Sequence, residues 1–226
     1  MARFLRLDVW NSFISSGLVP LFYHPDGEVA FGTAEAIAEG GCNILEFTNR
    51  GGAALPVFIE LVKVLEKRYP QMIVGVGSVI DAPTAALYIA HGANFVVGPT
   101  LNPDVARLCN RRKIAYIPGC GTASEISTAE ELGAEICKIF PGDTLGGPAF
   151  IKAILGPMPW ARLMPSGGVE ATQQNITAWF NAGAAAVGMG GNLVRKEWLS
   201  ARDYASISRT TAEVMGWIKA CRNPAR

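Results

Sequence analysis

The sequence predicts an α/β fold, a (β/α)8 or TIM barrel of parallel strands preceded by an N-terminal helix. Three observations carry this expectation. After Gly17, eight short runs rich in β-branched or aromatic residues recur along the chain. Each is followed by a Gly, Pro or Ser turn and then by a helical stretch rich in Ala, Leu and Glu, the alternation of a parallel sheet. No GxGxxG fingerprint follows the first run, which weakens the open doubly wound sheet as the rival arrangement.

Met1–Ser16 carries Arg3, Arg6 and Asp8 among scattered apolar residues and has no continuous apolar stretch, so it reads as a short amphipathic helix and not as a signal peptide. The strands are expected at Leu18–His24, Cys42–Phe47, Met72–Val79, Asn94–Gly98, Ile114–Pro118, Glu135–Phe140, Ala161–Met164 and Ala184–Met189. Between them the helices are expected near Glu28–Glu39, Pro56–Arg68, Ala82–His91, Pro103–Arg112, Ala123–Leu132, Gly147–Leu155 and Thr172–Asn181, with Leu193–Leu199 and Tyr204–Ala220 after the last strand. Asp81 before Ala82-Pro83 and Asn102 before Pro103 are N-cap signals, and Gly92, Gly133 and Gly183 are stop signals. No linker divides the chain, so residues 1–226 are expected to form a single barrel domain.

Half of the residues are hydrophobic and 17% are charged, enough apolar material for a large two-layered core. Lys plus Arg exceed Asp plus Glu by one, 20 against 19, and no long run of one sign occurs, so neither nucleic acid nor a membrane surface is an expected partner. No apolar run approaches the ~20 residues that span a membrane. The cysteines, Cys42, Cys109, Cys120, Cys137 and Cys221, are odd in number and lack CxxC spacing, which fits reduced thiols in a cytoplasmic protein.

In a barrel the chemistry sits at the C-terminal ends of the strands. There Lys138 is the only charge in the apolar run Ile136–Phe140. Burial disfavours the ammonium ion and leaves a neutral, nucleophilic amine, as a Schiff-base lysine requires; the alternative is a lysine that snorkels to water. Glu46 interrupts a second apolar strand, and Arg50 follows in its loop: a carboxylate to move protons and a guanidinium to hold a substrate carboxylate, or else a structural ion pair. Gly75-Val76-Gly77-Ser78 ends the third strand with small residues that leave room for a ligand and one hydroxyl to meet it, unless the glycines serve the turn. Pro165-Ser166-Gly167-Gly168 and Gly188-Met189-Gly190-Gly191-Asn192 end the last two strands, where barrels bind phosphate through backbone N–H groups and a short helix, unless the glycines serve tight turns. Only two histidines occur, so no histidine-rich metal site is expected; His24 ends a strand, as a substrate contact or a hydrogen-bonded strand end, and His91 ends a helix.

Taken in order, Leu45-Glu46-Phe47-Thr48-Asn49-Arg50, Val74-Gly75-Val76-Gly77-Ser78, Ile117-Pro118-Gly119-Cys120-Gly121-Thr122, Lys138-Ile139-Phe140-Pro141, Met164-Pro165-Ser166-Gly167-Gly168 and Val187-Gly188-Met189-Gly190-Gly191 form a specific pattern. From about Val19 to Val194 the chain resembles the 2-keto-3-deoxy-6-phosphogluconate (KDPG) and 2-keto-4-hydroxyglutarate (KHG) aldolases. The resemblance implies a usually trimeric barrel that cleaves 2-keto-3-deoxy sugar acids to pyruvate without a cofactor. It makes Lys138 the Schiff-base residue, Glu46 the general acid/base, Arg50 the carboxylate binder and Ser78 a hydroxyl beside the substrate. Pro99 and Phe140 join them as expected substrate contacts, with Ser166, Gly167, Gly168, Gly190, Gly191 and Asn192 at the phosphate. The chain departs from the family in reading Lys138-Ile139-Phe140-Pro141-Gly142 for the common Lys-Phe-Phe-Pro-Ala, in Ser166 for threonine and in Asn192 for a frequent serine, changes that bear on stereochemistry and phosphate preference. Two other functions suit the same residues: a phosphosugar isomerase or epimerase with Glu46 as base and no covalent adduct, and a non-catalytic sugar-acid binder.

Overall fold

The structure, a computed structural model, describes residues 2–222, so Met1 and positions 223–226 of the expected domain lie outside the described residues. The strands are β1 (Leu18–Phe22), β2 (Ile44–Thr48), β3 (Ile73–Gly77), β4 (Phe95–Val97), β5 (Ala115–Ile117), β6 (Gly119–Cys120), β7 (Cys137–Ile139), β8 (Leu163–Pro165) and β9 (Val187–Met189). All of their pairings are parallel. They form a curled six-stranded sheet ordered β5-β4-β3-β2-β1-β9 and a three-stranded sheet ordered β6-β7-β8.

The expected fifth strand, Ile114–Pro118, is observed as β5, and a short strand that was not expected, β6, follows after Pro118, which has no N–H to give to a ladder. Its carbonyl still accepts from Lys138 N at 2.8 Å, which ties the chain to β7. At the other seam, a bridge pairs Ser166 with Gly188, and Ala185 N donates to Leu163 O at 2.9 Å. Observed strands are mostly shorter than expected: β1 stops at Phe22, so Tyr23 and His24 belong to the loop, and β9 starts at Val187.

The helices are α1 (Arg6–Ser16), α2 (Gly27–Glu39), α3 (Ala54–Arg68), α4 (Ala82–Ala90), α5 (Pro103–Arg112), α6 (Ala123–Glu131), α7 (Pro148–Leu155), α8 (Gln173–Asn181), α9 (Lys196–Ala201) and α10 (Tyr204–Arg222). Their starts follow from capping chemistry. The Asp81 carboxylate accepts from Thr84 N at 2.7 Å and the Asn102 side chain from Asp104 N at 2.8 Å, each satisfying a backbone donor that the first turn leaves free. Gly92, Gly133 and Gly183 follow their helices at positive φ, as stop signals require. The expected helix Leu193–Leu199 is corrected: Leu193 N and Val194 N both donate to Gly190 O, making a turn that buries two apolar side chains, and α9 begins only at Lys196.

β2 and β3 are buried along their whole length, as strands covered on both faces must be. Phe47 and Phe58, and Phe58 and Tyr88, meet with ring centroids 6.4 and 5.0 Å apart where α3 and α4 pack on this sheet. At the N-terminal ends of the strands, α1 buries Val9, Trp10 and Phe13 while leaving Leu7 exposed; Phe13 stands edge-on to Phe95 at 4.9 Å. The buried Asn94 amide clips this helix's approach. Its oxygen accepts from Arg3 N and Phe4 N, and its nitrogen donates to Val74 O and Gly92 O.

Among the described residues no helix is long and apolar enough to cross a membrane. All five cysteines are free, four of them buried, and burial pushes the Cys42 thiol up to about 11 and the Cys109 thiol up to about 12. Both stay protonated at neutral pH.

Candidate active site

A cavity of about 280 Å³ opens at the C-terminal ends of the strands, lined by Leu21, Arg50, Ser78, Pro99, Lys138, Phe140, Ser166, Gly167, Gly168, Val169, Gly188, Gly190, Gly191 and Asn192. Every expected substrate and phosphate residue lies on its wall, together with Lys138. Glu46 is the exception: it is buried and not on the wall, yet the charges of the wall residues Lys138 and Arg50 act on it.

Lys138 is the central residue of β7, 6% exposed, in register with Gly119 and Met164. Its neighbours Cys137 and Ile139 are buried too, so the chain presents a single amine to the cavity from an otherwise apolar strand. The Nζ lies 4.9 Å from the centroid of the Phe140 ring, a cation–π geometry. Phe140 itself is 38% exposed at the mouth.

Glu46 is 1% exposed, and neither carboxyl oxygen has a hydrogen-bond partner. Burial raises its pKa above the ordinary carboxylate value, against the pull of the positive charges on Lys138 and Arg50. The alternative of a structural Glu46–Arg50 ion pair is absent: Arg50 is exposed in the loop after β2 and lines the cavity.

The expectation that Gly75 and Gly77 leave space for a ligand is corrected. A Cβ at Gly75 would lie 2.3 Å from the Phe95 ring, and one at Gly77 would lie 1.6 Å from Glu46 Oε1, so protein side chains already fill both spaces. Ser78, at φ 59°, does face the cavity.

At the glycine-rich end, Gly167 and Gly168 take φ of 90° and 70° and curve round the cavity. Asn192 Nδ2 donates to Val169 O at 2.8 Å, so part of the amide that was expected to meet phosphate is engaged within the protein. The phosphate helix expected at Leu193 is likewise a turn here. His24 lies outside the cavity wall; its Nδ1 accepts from Asp26 N at 3.1 Å, a local bond at the start of α2.

Two wall residues escaped the sequence reading. Leu21 and Val169 are ordinary apolar residues whose only signal is position: Leu21 is in register with Glu46, and Val169 follows the second glycine of a motif.

The family model for KDPG and KHG aldolases matches residues 11–210. The chain belongs to this family. As a KDPG/KHG aldolase family member it is 30% identical over 203 residues to the 2-dehydro-3-deoxy-phosphogluconate aldolase of Haemophilus influenzae, covering 89% of this chain and 92% of the relative. It is 29% identical over 207 residues to the KHG/KDPG aldolase of Escherichia coli, covering 91% and 94%. Its fold matches that of the Legionella pneumophila KDPG aldolase, solved with pyruvate captured as a covalent carbinolamine, with a TM-score of 0.81 at 27% identity over 90% of this chain and 96% of that one.

Proposed function

We propose that this chain is a class I aldolase that cleaves 2-keto-3-deoxy-6-phosphogluconate to pyruvate and glyceraldehyde 3-phosphate through an imine on Lys138. The observation that carries the reading is the meeting of a buried amine with Arg50, Ser78 and a glycine-rich rim in one cavity. An isomerase or epimerase barrel has no use for a nucleophile there, and a binder has no use for an acid held beside it.

The Lys138 amine attacks the C2 ketone, and loss of water from the carbinolamine leaves an iminium ion. The Phe140 ring faces this cation, a contact worth about 0.5–2 kcal/mol. Glu46 takes the C4 hydroxyl proton; the C3–C4 bonding pair moves into the iminium, and the aldehyde leaves. The enamine regains a proton at C3, and water returns pyruvate and the free amine. Both Glu46 oxygens lack partners, so both are available to the proton, and burial favours the protonated form that gives it back. Arg50 holds the carboxylate through paired hydrogen bonds, and Ser78 and Pro99 flank the chain of the substrate.

Backbone N–H groups around Ser166–Gly168 and Gly190–Asn192 receive the distal phosphate. Gly191 has open space where a side chain would stand. Gly191→Leu should therefore raise KM for the phosphorylated substrate by about 10-fold or more, the effect of ~1.4 kcal/mol, while imine formation with pyruvate is unchanged. Equal KM values in wild type and variant, measured by steady-state kinetics, would place the phosphate elsewhere.

A second substrate is favoured by the Asn192 bond to Val169. A rim that has turned a side-chain donor inward suits the smaller 4-hydroxy-2-oxoglutarate, cleaved to pyruvate and glyoxylate. A panel of aldehydes assayed with pyruvate decides between the two. The iminium supplies the electron sink, so EDTA should leave turnover unchanged; loss restored by a divalent ion would overturn the metal-free mechanism.

We further infer that the two sheets act as one closed (β/α)8 barrel in a single domain. The run through Pro118 supports this at one seam and the Ser166–Gly188 bridge at the other. The family resemblance supports a homotrimer, and the free cysteines support a cytoplasmic setting.

A further inference from the structure

We propose that Gly77 is a positioning residue for Glu46: its absent side chain is the slot in which the Glu46 carboxyl lies. The inference rests on the reading of Glu46 as the acid/base. Three observations support it.

A Cβ at Gly77 would lie 1.6 Å from Oε1, 2.3 Å from Cδ and 2.8 Å from Cγ of Glu46. The nearest atoms all belong to that one side chain. Adjustments of a few tenths of an ångström cannot relieve such an approach, so the carboxyl itself would have to leave.

Backbone conformation does not explain the glycine, because Gly77 is not among the residues at positive φ. Its neighbour Gly75 marks the contrast, since the atoms closest to a Cβ there are those of the Phe95 ring, a packing contact alone.

Hydrogen bonds do not hold the carboxyl either. Both oxygens are buried without partners, whereas an acid/base group is ordinarily oriented by a neighbouring donor or acceptor. Shape is left to fix it, and the shape is supplied by β3, whose Gly75 and Gly77 pair with Glu46 and Thr48. The charges acting on Glu46 are Lys138 from β7 and Arg50 from the loop after β2. Beside it, β1 contributes Leu21 and β3 contributes Gly75 and Gly77, none of which titrates.

The test compares kcat, KM and pH profiles of wild type, Gly77→Ala, Gly75→Ala, Glu46→Asp and the double variant Gly77→Ala/Glu46→Asp. Displacing a reacting group by ~1 Å costs about 100-fold, so Gly77→Ala should lower kcat by that order with KM nearly unchanged. The acidic limb of its kcat profile should move to lower pH as the carboxyl becomes less buried. Gly75→Ala should lower Tm and leave that limb where it is. Glu46→Asp, harmful in wild type, should raise kcat in the Gly77→Ala background, because the shorter side chain clears the new methyl group. If Gly77→Ala does not fold, the double variant should; failure of both to fold overturns the proposal. So does an unmoved pH limb in Gly77→Ala, or an equal loss from Glu46→Asp in both backgrounds. A wild-type protein with no aldolase turnover and no pyruvate adduct on Lys138 would instead overturn the activity on which the inference rests.

Discussion

Borohydride added with pyruvate should fix a three-carbon adduct on Lys138, and Lys138→Arg should lower kcat by roughly four to six orders of magnitude, the range for loss of a covalent nucleophile. The expectation follows from chemistry and burial together. Free pyruvate is reduced only to an alcohol, whereas reduction of an imine leaves a stable secondary amine on the protein, and the structure gives the cavity one amine, in the middle of β7. Arginine retains the positive charge but has no nucleophilic nitrogen near neutral pH. It therefore separates the covalent mechanism from an electrostatic one, which Lys138→Met does not. Peptide mass spectrometry locates the adduct; finding it on another lysine, or substantial turnover in the arginine variant, would overturn the assignment.

Glu46→Gln should have opposite effects on activity and stability. Loss of the proton acceptor should lower kcat by about 10²–10⁴-fold. The same change should make the protein more stable at neutral pH. In the unfolded chain the carboxyl ionises at its ordinary value; in the folded one burial raises that value, so the native state binds the extra proton. Stability is then lost as pH rises from the ordinary carboxylate value through the raised one, and glutamine has no such loss. At pH 7 the variant should gain about 2–4 °C in Tm for each kcal/mol of relieved desolvation, a gain that vanishes near pH 4. Thermal unfolding at both pH values checks this. An equal Tm difference at the two would show that the carboxyl carries no burial penalty.

Much of this was legible in the sequence where a residue contradicts its surroundings. Lys138 and Glu46 stand out as lone charges in apolar runs, and Asp81-Ala82-Pro83 and Asn102-Pro103 announce their helices through backbone donors that need a partner. The occupant of the Gly77 slot was not legible, because it arrives from a strand some thirty positions earlier and only the register of β2 on β3 brings the two together. Nor was the fate of the Asn192 amide, since loop geometry alone decides whether it meets a ligand or Val169 O. Leu193 and Val194 misled for a physical reason. Two adjacent apolar residues are as useful for plugging a turn as for facing a helix into the core, and the helix that follows starts at Lys196 with no side-chain cap to announce it.

The Asn94 clip also orders events in time. A chain grows from its N-terminus, so α1 is made before the strands it packs on, yet an 11-residue helix is marginal in water by itself. The amide that holds its leading segment lies 91 positions beyond Arg3, and the ring that receives Phe13 is the next residue. The seat of α1 thus exists only once β3 and β4 are in place, and the end of the molecule opposite the cavity is closed by a segment made before the residues that hold it.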